Sequence, residues 1–147
     1  MSKELRVISV TPSNIDILEE FVQSLGRSSE SFRYFKNREM SCIKSHLLTL
    51  VYLEDNSPIC YGHLDKDGED VWLGISVIET KTGIGLGKKM MLSLTNYALE
   101  CNINNIKLSV DKNNLKAISL YEKFGFKKSK DSDNKIFMNL NLGEKNG

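Results

Sequence analysis

The sequence carries almost no surplus of charge, with 20 Lys plus Arg against 19 Asp plus Glu and a formal net charge of +1. Strong phosphate-backbone binders carry a basic surplus, so neither a dedicated nucleic-acid protein nor an anionic-membrane protein is expected. Cysteine is scarce as well. Cys42, Cys60 and Cys101 are widely spaced, form no CxxC and share the chain with only two histidines. That pattern predicts free thiols in a reducing cytoplasm, with no disulfide framework and no metal site. Long apolar runs are missing: nothing approaches the roughly 20 residues of a spanning helix. Met1 to Val7 already carries Glu4 and Arg6, so no signal peptide is expected. Internal repeats and low-complexity linkers are absent too. What remains is a globular composition, 40% hydrophobic and 27% charged, over 147 residues, the size of one domain with one core. The expectation is a cytoplasmic protein in a single domain, 1–147.

Periodicity gives the elements. Glu4 to Val10 alternates as a half-buried strand, and Thr11, Pro12 and Ser13 then supply helix-start chemistry. Ile15, Leu18, Phe21, Val22 and Leu25 recur at helical spacing and stop at Gly26. Between Arg27 and Ser45 the chain is polar and aromatic, predicting a short helix or a loop. His46 to Leu53, Ile59 to Asp65 and Val71 to Ile78 read as three antiparallel strands, divided by turn residues at Asp55 to Pro58 and at Asp67-Gly68. A long helix runs through Leu86, Met90, Leu94, Tyr97 and Cys101. Strand Ile106 to Val110, helix Asn114 to Phe124 and strand Ile136 to Leu142 complete the order. A meander followed by crossovers requires a mixed sheet in an α/β fold.

Three glycines at alternate positions, Gly83, Gly85 and Gly87, join a strand to the long helix. Without side chains in the way, backbone amides at a helix N-terminus can approach an anion. A plain flexible turn would not need three. Two familiar phosphate loops fail on spacing. A P-loop requires glycine at position 82 and Ser or Thr at position 89, where the chain has Thr82 and Lys89. A dinucleotide fingerprint requires a third glycine where the chain has Met90 or Lys88, and it belongs to an opening βαβ unit that is not here.

The stretch Val77 to Lys88 instead resembles the acyl-CoA pyrophosphate loop of the GNAT superfamily of N-acetyltransferases. Thr82 stands where that family favours Arg or Gln, and Gly85 and Gly87 match. A second block, Val110 to Phe126, is similar to the family's Val-x-x-x-Asn-x-x-Ala-x-x-Leu-Tyr-x-x-x-Gly-Phe signature, with Val110, Asn114, Ala117, Leu120, Tyr121, Gly125 and Phe126 filling every named position. The likeness is strong from Val71 to Phe126 and rests on element order elsewhere.

That resemblance implies a single-domain GNAT fold, acetyl-CoA as co-substrate and direct transfer of its acetyl group to a primary amine. It further implies that backbone near Val77 and Ile78 meets the pantetheine arm and the thioester carbonyl. Thr82, Gly83, Ile84, Gly85, Leu86, Gly87 and Lys88 would hold the pyrophosphate. Asn114, Ala117 and Tyr121 would face the cofactor, and Tyr121 would also protonate the leaving sulfur. Asn114 and Tyr121 lie close to two helical turns apart and can face one cleft. Asn114 also has the plain reading of an N-cap, and Tyr121 that of a core aromatic.

The general base is left open between His63 and Glu79. Tyr61, His63 and Asp65 share one strand face by period-two spacing, and an unperturbed imidazole titrates near neutrality. Glu79 ends a strand, where it would act through water or be a solvated turn carboxylate. Acceptor contacts are expected from Arg33, Tyr34, Arg38 and Asp65. Arginines interleaved with aromatics suit a planar anionic acceptor such as a nucleotide-linked aminosugar, or else form a helix with a buried aromatic stripe and solvated arginines. A protein or peptide N-acetyltransferase and a non-catalytic acyl-CoA-binding module stay as alternatives. The expected partner is a small-molecule amine, with an aminosugar or a nucleotide-linked aminosugar as the candidates and a homodimer left open.

Overall fold

The structure is a computed structural model, and it describes residues 4–143. Met1 to Lys3, part of the segment expected to lack a signal peptide, lie outside the described residues.

Strand β1 (Leu5–Ser9) leads into a short 3-10 turn, Pro12–Asn14, closed by a capping box in which the Thr11 side chain accepts from the Ser13 amide and Asn14 Oδ1 accepts from the Thr11 amide at 2.7 Å. Helix α1 (Asp16–Gln23) follows, slightly shorter than its apolar spacing predicts, and buries Leu18 and Phe21. The aromatic stretch after it holds two 3-10 turns, Gly26–Glu30 and Met40–Ser45, with irregular chain between them. Strands β2 (His46–Glu54), β3 (Ser57–Asp67) and β4 (Asp70–Val77) form the expected meander. Asp55 and Asn56 take φ of 49° and 72° at the β2–β3 turn, a left-handed geometry that asparagine and aspartate tolerate better than other side chains.

Helix α2 (Leu86–Glu100), β5 (Asn105–Asp111), α3 (Leu115–Lys123), β6 (Lys127–Asp131) and β7 (Lys135–Asn141) complete the chain. Strand β6 is absent from the sequence-derived order. Its five residues, KKSKD, are all exposed, so no apolar alternation marks it. It exists because β7 offers it a hydrogen-bonding edge.

The seven strands run in the order β1-β2-β3-β4-β5-β7-β6. Every neighbouring pair is antiparallel except β4 with β5. That parallel pair is joined at one register position, Trp72 with Lys107. Strand β4 stays bonded to β3 as far as Val77, and the Ile78 amide still reaches the Ile59 carbonyl at 3.1 Å. Beyond Trp72 the edge of β4 that faces β5 is therefore open, and the sheet splays.

Helices cover both faces. Phe21 of α1 stacks on Tyr61 at 5.7 Å between ring centroids, on one side of β3. On the other side α2 presses Met90 and Leu94 against Gly62, where an added Cβ would lie 2.5 Å from Met90 Cγ. Phe21, Tyr61, Met90 and Leu94 have no exposed surface. Each such apolar side chain contributes about 1.5–3 kcal/mol on burial.

Candidate functional site

One cavity of about 930 Å³ runs along the splay. Its walls are Leu73 to Val77 of β4, Ser109 to Asp111 of β5, the start of α2 and the inner face of α3. It joins two unlike ends.

At the α2 end the ligand-facing groups are main chain. Gly83 and Gly85 take φ of 83° and 91°, and open space surrounds the place where each Cβ would stand. Conformation, not crowding, is what demands glycine there. Gly85 is the N-cap of the 15-residue helix α2, and no side chain caps that helix and no acidic residue sits in its first turn. Its leading amides thus have no side-chain cap among the described residues, and Gly85, Gly87 and Lys88 line the cavity there, the arrangement that binds an anion. Gly87 lies close to α3: a Cβ there would meet Leu120 Cδ2 at 3.3 Å. Thr82 Oγ1 donates to the Glu79 carbonyl at 3.0 Å and so helps to shape the turn.

Helix α3 supplies two of the predicted groups. Asn114 is its N-cap, accepting from the Ala117 amide at 3.3 Å, and both residues line the cavity. Tyr121, two turns on, also lines it. Burial alone pushes the Tyr121 phenol up to about 12, with no charge or hydrogen bond among the described residues contributing.

The other end is built of side chains. Tyr34 donates its hydroxyl proton to Asp65 Oδ2 at 3.1 Å, and Ser45 donates to Asp65 Oδ1 at 2.8 Å. His46 Nε2 lies 2.7 Å from the Tyr34 oxygen and its Nδ1 2.8 Å from Thr49 Oγ1. With the Tyr34 proton committed to Asp65, His46 must donate through Nε2 and accept from Thr49 through Nδ1. All four donors are thus aligned toward one carboxylate. Burial lowers the His46 pKa to about 4, so the ring is neutral at neutral pH.

His63 is hydrogen-bonded through Nδ1 to Tyr61 at 2.6 Å and lies over Gly74 of β4, where an added Cβ would be 2.6 Å from His63 Cε1. Burial first, then the neighbouring His46 and Arg38, hold its pKa well below the ordinary histidine value. Burial likewise drives the Tyr34 and Tyr61 phenols upward.

Fourteen of the residues singled out from sequence line this one cavity: Tyr121, His63, Val77, Thr82, Gly83, Gly85, Gly87, Lys88, Asn114, Ala117, Arg33, Tyr34, Arg38 and Asp65. Ile78, Ile84, Leu86 and Glu79 are not among its walls. Ile78 and Leu86 are buried in the core, and Ile84 points outward at 65% exposure. Glu79 has a structural engagement: its Oε1 accepts from the Arg27 amide at 2.8 Å and its own amide donates to Leu25 at 3.0 Å, tying the stretch after α1 to the end of β4.

Neither arginine is unengaged. Arg33 forms a two-pronged pair with Asp111, both contacts at 3.1 Å, and Arg38 lies 4.2 Å above the Tyr34 ring while donating to the Tyr34 carbonyl at 2.7 Å. Sequence reasoning passed over His46, Ser45, Trp72 and Asp67. The last three line the cavity and His46 organises it.

Among the described residues no group of three or more His, Cys, Asp or Glu side chains could hold a metal ion, and no helix is long and apolar enough to cross a membrane.

The spermine/spermidine N(1)-acetyltransferase of Bacillus subtilis (strain 168) is 41% identical over 68 residues, 45% of this chain and 44% of that protein, so less than half of the relative's length is spanned. An acetyltransferase of the GNAT family from Streptococcus pneumoniae superimposes with a TM-score of 0.80 at 17% identity, covering 95% of this chain and all of that one. The yncA acetyltransferase of Salmonella typhimurium, described as putative and solved with acetyl-CoA, superimposes at 0.76 with 16% identity, covering 98% and 97% of the two chains. These two show the fold. The profile of the acetyltransferase (GNAT) family matches residues 14–126, taking in α1, the open edge of β4, the glycine-led helix and Tyr121 together, and the chain belongs to that family.

Proposed function

We propose that this protein transfers the acetyl group of acetyl-CoA to a primary amine of a small cationic acceptor by direct attack. The observation that carries this reading is the continuity of one cavity, from the uncapped N-terminus of α2, past Tyr121, to the carboxylate of Asp65.

The α2 amides from Gly85 to Lys88 fit a pyrophosphate, and Gly83 leaves their approach clear. The open main-chain edge of β4 from Leu73 to Val77 fits an extended amide-bearing arm, which would add to the sheet where β5 has drawn away. Asn114 keeps its cap and Ala117 keeps the adjoining wall small. Acetyl-CoA supplies the activated thioester. An amide at the end of β4 stabilises the charge that develops on a carbonyl oxygen under attack. Tyr121, held protonated by burial, keeps a proton at its hydroxyl for a departing thiolate.

Asp65 receives the acceptor as an ammonium ion, its carboxylate fixed by Ser45 and Tyr34. The proton that the amine loses before attack leaves along this polar end toward solvent. His63, buried and held neutral, serves better as a hydrogen-bonding wall than as the group that takes this proton. The carboxylate of Glu79, engaged with the Arg27 amide, is a tether.

A diamine or polyamine acceptor is favoured over a nucleotide-linked aminosugar. The guanidiniums that would greet an anion are already occupied by Asp111 and Tyr34, while Asp65 and Asp67 face the cavity. The spermine/spermidine acetyltransferase among the relatives agrees with this choice.

Thiol release from acetyl-CoA is the test, with 1,4-diaminobutane, spermidine, glucosamine, a nucleotide-linked aminosugar and a short peptide as acceptors. Turnover greatest with the diamine and triamine is expected. Turnover with the aminosugars alone overturns the acceptor class. CoA binding with no turnover on any amine overturns the enzyme reading in favour of a binding module.

A further inference from the structure

Beyond the Arg33–Asp111 pair lies a second cavity, of about 630 Å³, walled by Arg27, Glu30, Lys112 and Asn134. Arg33 and Asp111 line both spaces together with Ser31 and Asn114, so the pair forms the ionic part of the partition between them. We propose that Arg33 is a displaceable plug, and that Asp111 is the carboxylate that takes a further ammonium of a polyamine acceptor once Arg33 swings out. The inference rests on the acetyltransferase reading above and narrows its acceptor to a triamine or longer, one amine of which reacts while another, as an ammonium, reaches Asp111.

The two partners are unequally held. Asp111 ends β5, pairs across to Lys135 of β7, and its carbonyl accepts the Asn114 amide at 3.0 Å. Arg33 belongs to the irregular chain between two 3-10 turns, and its other bond is to the Glu30 carbonyl just upstream. Side-chain exposure follows the same order, 40% for Arg33 and 19% for Asp111. The guanidinium is therefore the half that can leave for water. What it leaves is a largely covered carboxylate that has lost its two-pronged partner, an unfavourable state that an arriving ammonium relieves. Departure of Arg33 also opens the partition, so chain length and charge are read at one place.

Affinity for spermidine and for 1,4-diaminobutane, measured calorimetrically in the presence of CoA, separates this role from a structural tie. Compare wild type with Arg33→Gln and Asp111→Asn. Removing the plug should tighten spermidine relative to 1,4-diaminobutane by about fivefold, and removing the carboxylate should weaken it by about the same factor, the range of a partly exposed ion pair. A tie that merely braces the fold is broken equally by both substitutions, so shifts of the same sign, or none, overturn the proposal. Should Arg33→Gln fail to fold by circular dichroism, Arg33→Lys replaces it and is expected to give a smaller shift of the same sign. Failure of the enzyme reading looks different: thiol release is absent in wild type while the opposite-signed affinity shifts persist. Absence of spermidine binding in wild type and in both variants overturns the present proposal.

Discussion

At the α2 end of the cavity the groups that face a ligand are amides released by Gly83 and Gly85. At the Asp65 end they are the hydroxyls, imidazoles and carboxylate of residues from three separate segments. Main-chain groups cannot be exchanged by point substitution, and their position is set by the helix itself. A side-chain site depends on every partner and can be retuned one residue at a time. The first arrangement suits a ligand that never changes, the second one that does. The two ends should therefore answer differently to mutation, and Tyr121, between them, should answer in chemistry alone.

The largest effect is expected there. Tyr121→Phe removes the proton donor and should lower the rate of thiol release by roughly 100- to 1000-fold, with CoA affinity by calorimetry within about twofold of wild type. Equal loss of CoA affinity would place Tyr121 with the cofactor end instead. Next comes Gly74→Ala. Its Cβ would stand 2.6 Å from the buried His63 ring, which cannot fold away as a flexible chain end does, so a loss of about 1–3 kcal/mol in denaturant unfolding is expected. The same variant should raise the KM for the amine, whose end of the cavity the His63 ring lines. A smaller change is predicted for Asp65→Asn: about a tenfold higher KM for spermidine, about 1.4 kcal/mol, with KM for acetyl-CoA unmoved.

The smallest is a slope with pH. His46 has a folded pKa of about 4 against 6.5 unfolded, and His63 is shifted in the same direction, so between those values the unfolded chain binds more protons than the folded one. Stability contributed by the neutral rings is complete above pH 6.5 and falls as pH drops toward 4. Because His46 is partly exposed, its share should stay below about 1.4 kcal/mol per pH unit. Thermal melting at pH 7, 6 and 5 checks the direction, and His46→Gln should flatten the curve. A flat wild-type curve would mean that the histidines are not held neutral.

The unlike construction of the two ends also governs how much of each was legible in sequence. Gly83, Gly85, Asn114 and Tyr121 sit at fixed spacings within one loop or one helix, so local pattern was enough to bring them together. The Asp65 end depends on partners far apart along the chain, Tyr34 with Asp65 and Arg33 with Asp111, and no periodicity encodes those pairings. His46 shows the limit. It faces Asp65 across the β2–β3 hairpin, but two irregularities in the register lie between them and the turn, after His46 and after Tyr52. They cancel, so a plain count back from Asp55-Asn56 would have found the pair, though nothing in the sequence announces the cancellation. Strand β6 was hidden for another reason: every side chain on it faces water, and burial is the only signal that alternation carries.

That strand has a consequence for assembly. As an outermost member of the sheet it has no strand partner on its outer edge among the described residues, and that edge stands behind Lys127, Lys128 and Lys130. Two copies laid edge to edge at this border would bring lysine against lysine with little apolar surface to compensate, so the border resists strand addition and fibril growth.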